Sequence, residues 1–139
     1  MPTLPTDRRP VTDVPAAPSE RALAHFEARL AFETDCADVH AALEARHPGF
    51  VVLDVRSPDV FAKGHVPGAV NLPHARISER TVAAYPPDLL LVVYCSGPHC
   101  NGADRAAIRL ARLGRPVKKM IGGITGWRDE GYRLERSER

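Results

Sequence analysis

Cys95, His99 and Cys100 stand close together in CSGPHCNGA, residues 95–103. Two thiols and an imidazole at this spacing can do nucleophilic, redox or metal chemistry. The nucleophilic form of cysteine is the thiolate, which a helix N-terminus or other electropositive surroundings favour. Residues 89–94, LLLVVY, run up to Cys95 without alternation, as a strand covered on both faces does. Periodicity leaves a short buried helix open; shortness, the leucine and valine content and the glycine that follows favour a strand. Beyond the loop, Ala103, Ala106, Ala107, Leu110 and Ala111 fall on one helical face, with Arg105, Arg109 and Arg112 on the other. Asn101 is placed to cap this helix, Asp104 occupies its first turn, and Gly114 with Pro116 closes it. The Cys95 thiol is therefore expected at the carboxyl end of a strand, in a loop whose backbone N–H groups converge on the sulfur. The plain alternative is an inert buried cysteine.

The neighbours of Cys95 each carry two readings. Cys100 either fills the loop or acts as a resolving thiol that attacks a persulfide or sulfenate on Cys95. His99 is a substrate contact or an exposed loop tip. Asp54 and Arg56, at the end of a second apolar run (VVLDV, residues 51–55), are a pocket pair or a structural ion pair. No metal is expected: Cys95, His99 and Cys100 lie at the edge of zinc spacing, but no second ligand pair follows.

The remaining chain supplies the elements that hold these groups. Residues 1–18 carry five of the thirteen prolines and little apolar content, which predicts a flexible tail ahead of one domain over residues 19–139. Ser19 opens a helical pattern with Leu23, Phe26 and Leu30 on one face, and a short strand LAFET is possible over residues 30–34. Asp35 caps a helix in which Cys36, Val39 and Leu43 share a side, Cys36 reading as a small buried hydrophobe. Ser57-Pro58 starts a short helix ending at Gly64, and residues 65–73 form a turn with a short strand. Residues 74–87 read as a weaker helical segment. VKKMI, residues 117–121, is a further strand, after which Gly122-Gly123 turns the chain into a helix bearing Trp127, a core residue. Strands alternating with helices predict an α/β fold around a mainly parallel sheet, with the ligand crevice beyond the carboxyl strand ends. Cys95, Asp54 and Arg56 are all expected there.

A net charge of +2, from 19 basic and 17 acidic residues, points to neither a nucleic-acid nor a membrane partner. No apolar run approaches the roughly 20 residues of a membrane span. The first residues lack a signal-peptide core, so a cytoplasmic location is expected. Three cysteines form no disulfide framework. Nothing calls for an organic cofactor.

LDVRSPDVFAKGHVPGAVNLP (residues 53–73), VVYCSGPHCNGA (residues 92–103) and MIGGITGW (residues 120–127) together resemble the rhodanese domain of sulfurtransferases, in its motif order. The loop variant is similar to that of single-domain members with a helical N-terminal extension. The resemblance implies a rhodanese-like parallel sheet flanked by helices on both faces. It implies that Cys95 takes a sulfane sulfur from thiosulfate or a protein-borne or small-molecule persulfide and passes it to cyanide or a thiol. It implies that Ser96, Gly97, His99, Cys100 and Asn101 form the substrate loop, that Asp54 and Arg56 order the pocket, and that His65 and Asn71 fix loop geometry. This sequence departs from many members in having no arginine or lysine within residues 96–101, and Pro98 lacks an N–H. Thiosulfate is therefore expected to bind weakly and a thiol-borne persulfide to be the better donor. Two rivals remain. A cysteine phosphatase or arsenate reductase follows Cys-x5-Arg, whereas Asn101 occupies that arginine's place. The other is a non-catalytic interaction or redox-regulatory module; the cysteine retained at position 95 argues against an inactivated site.

Overall fold

The computed structural model of the chain describes residues 7–46 and 49–137. It divides into two units, Met1–Leu30 and Ala31–Arg139. In the first, the expected tail carries one helical turn, α1 (Pro10–Asp13), opened by a proline whose missing N–H is no loss at a helix start; residues 1–6 of that tail lie outside the described residues. The next helix, α2 (Ser19–Phe32), begins at Ser19 but runs through Leu30, Ala31 and Phe32. The possible strand LAFET is thus reduced to β1 (Glu33–Asp35), the three residues that find a partner strand.

The second unit is built on a 5-stranded sheet. Its other strands are β2 (Phe50–Asp54), β3 (Val70–Asn71), β4 (Leu90–Tyr94) and β5 (Val117–Ile121). They lie in the order β1-β5-β4-β2-β3, and every pairing is parallel. The unalternating runs now have their reason: β4 is central, and Leu91, Val92, Val93 and Tyr94 are all buried. Val92 and Tyr94 face one core with Val52, Met120 and Trp127. Leu91, Val93 and Cys95 face the other with Leu53, Val55 and Leu110.

Helices cover both faces. On the first lie α3 (Cys36–Glu44) and α7 (Gly123–Asp129), contributing Cys36, Val39, Ile124 and Trp127. Asp35 caps α3 as expected, its carboxylate accepting from Asp38 N at 2.8 Å. On the second lie α5 (Glu79–Val82) and α6 (Gly102–Arg112), contributing Val82, Ala103, Ala106 and Leu110. Leu53, Leu91 and Leu110 have no exposed surface, and cutting any of them back to alanine costs about 2–5 kcal/mol.

Two details of α6 differ from the sequence expectation. Ala111 is exposed, because it lies at the edge of the apolar stripe rather than within it. Asn101 precedes the helix but does not cap it with its side chain; its Oδ1 accepts from Arg105 Nε at 3.1 Å instead. The helix closes as predicted. Gly114 adopts φ 75°, Gly114 N donates to Ala111 O at 2.9 Å and Arg115 N to Leu110 O at 3.0 Å. Between β2 and β3, α4 (Pro58–Lys63) starts at the N1 proline and ends at Gly64. No helix among the described residues is long and apolar enough to cross a membrane.

Candidate active site at the end of the central strand

Cys95 is the first residue beyond β4, and residues 96–101 carry the chain to α6. The loop is short enough that its backbone must be held on both sides. On one side it rests on the start of α7: Ile124 N donates to Cys95 O at 3.0 Å, Thr125 N to Ser96 O at 2.9 Å, and Thr125 Oγ1 to the same oxygen at 2.9 Å. Gly123 makes this approach possible. It has φ 58°, and a Cβ there would clash with Cys95 O and stand 2.9 Å from Gly97 N. The GG of the C-terminal motif therefore backs the cysteine loop. On the other side, Cys100 N donates to Gly97 O at 3.1 Å across Pro98 and His99, a turn with proline at its favoured second position.

This turn brings Cys100 back to Cys95. The two sulfurs are paired, with Cα atoms 6.5 Å apart. Gly102 leaves room for them, since a Cβ there would lie 2.8 Å from Cys95 Sγ and 3.5 Å from Cys100 Sγ. Cys95 is 7% exposed and Cys100 half-buried, whereas His99 and Asn101 are exposed. Among the described residues no backbone N–H donates to Cys95 Sγ, in contrast to the expected convergence of amides. A sulfur paired with a second sulfur carries no charge for them to stabilise.

Asp54 and Arg56 are placed elsewhere. In the parallel register Asp54 lies beside Tyr94, not Cys95. Side chains alternate along a strand, so Asp54 and Tyr94 point to one face and Cys95 to the other. The crevice expected to hold all three is thus divided by the sheet. Asp54, with no exposed surface, accepts from Arg56 Nε at 3.0 Å, from an Arg56 terminal nitrogen at 2.6 Å and from Tyr94 OH at 2.6 Å. The guanidinium also donates to Gly64 O at 2.7 Å. Burial opposes the charge on Arg56, and Asp54 more than offsets it, holding the guanidinium pKa above its ordinary value. Burial, then the Asp54 carboxylate, raises the Tyr94 pKa, so its hydroxyl stays protonated and donates. Asn71 ties Asp54 O and Arg56 O together at 3.1 and 3.0 Å. His65 stacks on Phe61, its Nδ1 2.9 Å from Phe61 O. These contacts anchor the chain after β2.

Gly102, Thr125 and Tyr94 are the site residues that the sequence did not single out, whereas Gly123 was expected at the turn into the helix bearing Trp127. Gly102 directly follows Asn101 in the loop motif, and Tyr94 directly precedes the cysteine; those positions were the available signals. Cys36, the remaining thiol, packs under the same α7 turn with its sulfur 3.5 Å from Ile121 O. Burial, followed by Asp35 and Glu130, pushes it up to about 11. Among the described residues, no group of three or more metal-type ligands gathers.

A parallel α/β domain with a cysteine loop between its central strand and the following helix is the class this geometry defines. Residues 35–130 match the Rhodanese-like domain, and the chain belongs to that family. It is 36% identical over 88 residues to the thiosulfate sulfurtransferase GlpE of Ectopseudomonas mendocina, covering 63% of this chain and 78% of that protein. It is 41% identical over 95 residues to the HTH-type transcriptional regulator Rv0324 of Mycobacterium tuberculosis. That match covers 67% of this chain and 41% of the regulator, so the chain spans about two-fifths of the regulator's length. The crystal structure of the BH2092 protein from Bacillus halodurans superposes with a TM-score of 0.83 at 36% identity, covering 86% of this chain and 87% of that one.

Proposed function

We propose that the domain is a sulfurtransferase in which Cys95 carries sulfane sulfur as a persulfide. The observation that carries this reading is the position of Cys95 between the central parallel strand and α6, in a loop held by α7, in a family whose GlpE relative is a thiosulfate sulfurtransferase. In the dithiol form, Cys95 thiolate attacks the outer sulfur of the donor. The donor's S–S bond breaks, and its electron pair leaves with sulfite or with a thiolate. A thiophilic acceptor, cyanide or a thiol, then attacks the outer sulfur of the persulfide and returns Cys95 to thiolate.

Donor preference follows from the charges at the loop. Residues 96–101 contain no arginine or lysine. Arg105 reaches the loop through Asn101, but it is exposed and its Nε is engaged with that amide. A dianion such as thiosulfate has little to hold it, so a persulfide or polysulfide is the preferred donor. A low-micromolar thiosulfate KM would contradict this preference. Thiocyanate formation from cyanide and either donor tests the reading itself: the wild-type protein forms it and Cys95→Ser does not. Equal rates in the two proteins would end the reading.

The identity to part of a transcriptional regulator favours a second reading, a sulfur- or redox-responsive module whose cysteine is modified without turnover. Single-turnover sulfur uptake at Cys95 without multiple-turnover thiocyanate formation would select it.

A further inference from the structure

We infer that Cys100 converts the sulfur carrier into a sulfur-releasing device: it attacks the Cys95 persulfide and expels the outer sulfur as hydrosulfide. This rests on the reading of Cys95 as a carrier and adds to it an activity with a separate product.

Three features of the loop support the step. The Cα atoms of Cys95 and Cys100 are 6.5 Å apart, within the separation a disulfide spans without backbone movement. The turn from Gly97 O to Cys100 N holds Cys100 folded back onto Cys95. At Gly102 the chain carries no Cβ, in the one place where a Cβ would stand 2.8 Å from Cys95 Sγ. Access points the same way. Cys95 is 7% exposed, so an external acceptor must reach a nearly covered sulfur, while Cys100 already lies against it. A reactant held in place competes at an effective concentration far above that of a dissolved thiol.

The step balances as follows. Cys100 loses its proton and attacks Cys95 Sγ, the inner sulfur of the persulfide. The Sγ–Sγ bond forms and the bond to the outer sulfur breaks. The electron pair leaves with that outer sulfur, which takes up the proton as hydrosulfide. The sulfane sulfur is reduced and the two cysteine sulfurs are oxidised to the disulfide. A further turnover needs a dithiol reductant, which reopens the pair to two thiols and itself closes to a disulfide.

The test is a single turnover of the full chain, reduced and then freed of reductant, with excess thiosulfate, a donor that releases no hydrosulfide by this route unaided. The wild-type protein is expected to release up to one hydrosulfide per chain and to end lighter by two hydrogens. Cys100→Ser is expected to end heavier by one sulfur atom, with no hydrosulfide burst. A wild-type protein that keeps the added sulfur as Cys100→Ser does would overturn the inference and leave the carrier reading standing. If neither protein takes up sulfur from thiosulfate or, in a parallel run, from inorganic polysulfide, the carrier reading fails, and this inference with it.

Discussion

Cys36 and Cys95 occupy equivalent places in the fold, and of the two Cys95 has a loop and a second thiol beside it. Each follows a parallel strand and precedes or opens a helix: Cys36 begins α3 directly after β1, and Cys95 leads from β4 towards α6. A helix N-terminus alone would favour the thiolate at Cys36 as readily as at Cys95. Instead, Cys36 is sealed beneath α7 with Asp35 and Glu130 nearby, and its pKa is pushed up to about 11. The difference is the loop. At Cys36 the strand passes straight into the helix and leaves the sulfur in the core. At Cys95 residues 96–101 intervene, room is kept by Gly102, and a second thiol is brought into contact. Strand-to-helix position supplies a candidate nucleophile; the length and contents of the connection decide whether it can react.

The most severe way to break this comparison is to exchange the thiols for hydroxyls. Cys95→Ser is expected to abolish thiocyanate formation completely, while Cys36→Ser retains it; loss in both would make Cys36 part of the chemistry. The next largest effect concerns the third strand end. Asp54→Asn leaves Arg56 buried without its counter-charge, and is expected to cost about 3–5 kcal/mol in urea unfolding. A cost below about 1 kcal/mol would be that of an exposed pair, and would mean that the Asp54 charge is not what offsets the burial of Arg56. Gly102→Ala should sharpen the role of space in the loop. Its new Cβ forces the sulfurs to shift, and closure of the Cys95–Cys100 pair, followed as loss of free thiol, is expected to slow roughly tenfold or more. Unchanged closure would show that the loop yields easily.

The smallest effect is a pH dependence. Below pH 9 the Cys36 thiol is protonated whether folded or unfolded. Between the ordinary value of 9.0 and about 11 the unfolded chain loses the proton and the folded one keeps it. Stability therefore falls as pH rises through that window, by on the order of 1 kcal/mol. Wild type minus Cys36→Ser isolates this contribution from other groups that titrate there. No difference in slope between the two proteins would mean that Cys36 is not desolvated.

Much of this was legible in the residues. The unalternating runs at residues 51–55 and 89–94 announced strands covered on both sides, Asp35 announced a cap, and Gly114 announced a helix end. The cysteine loop was legible because a strand pattern, a turn and a helix pattern meet there. What could not be read was register. That Asp54 pairs with Tyr94 rather than with Cys95 is a one-residue offset set by strand pairing, and it sends the carboxylate to the opposite face. Local chemistry also misled at Asn101, a good cap by type whose amide is taken by Arg105. At residues 30–32 a helix outlasted the short strand pattern, because only Glu33, Thr34 and Asp35 have a neighbour in β5.

The claim on which the comparison depends is that sulfur is loaded on Cys95. Peptide mapping of Cys100→Ser after exposure to inorganic polysulfide tests it most directly, because the loaded sulfur then has no internal thiol to remove it. One added sulfur is expected on the peptide containing Cys95 and none on the peptide containing Cys36. Added sulfur on Cys36, or on neither peptide, would contradict it.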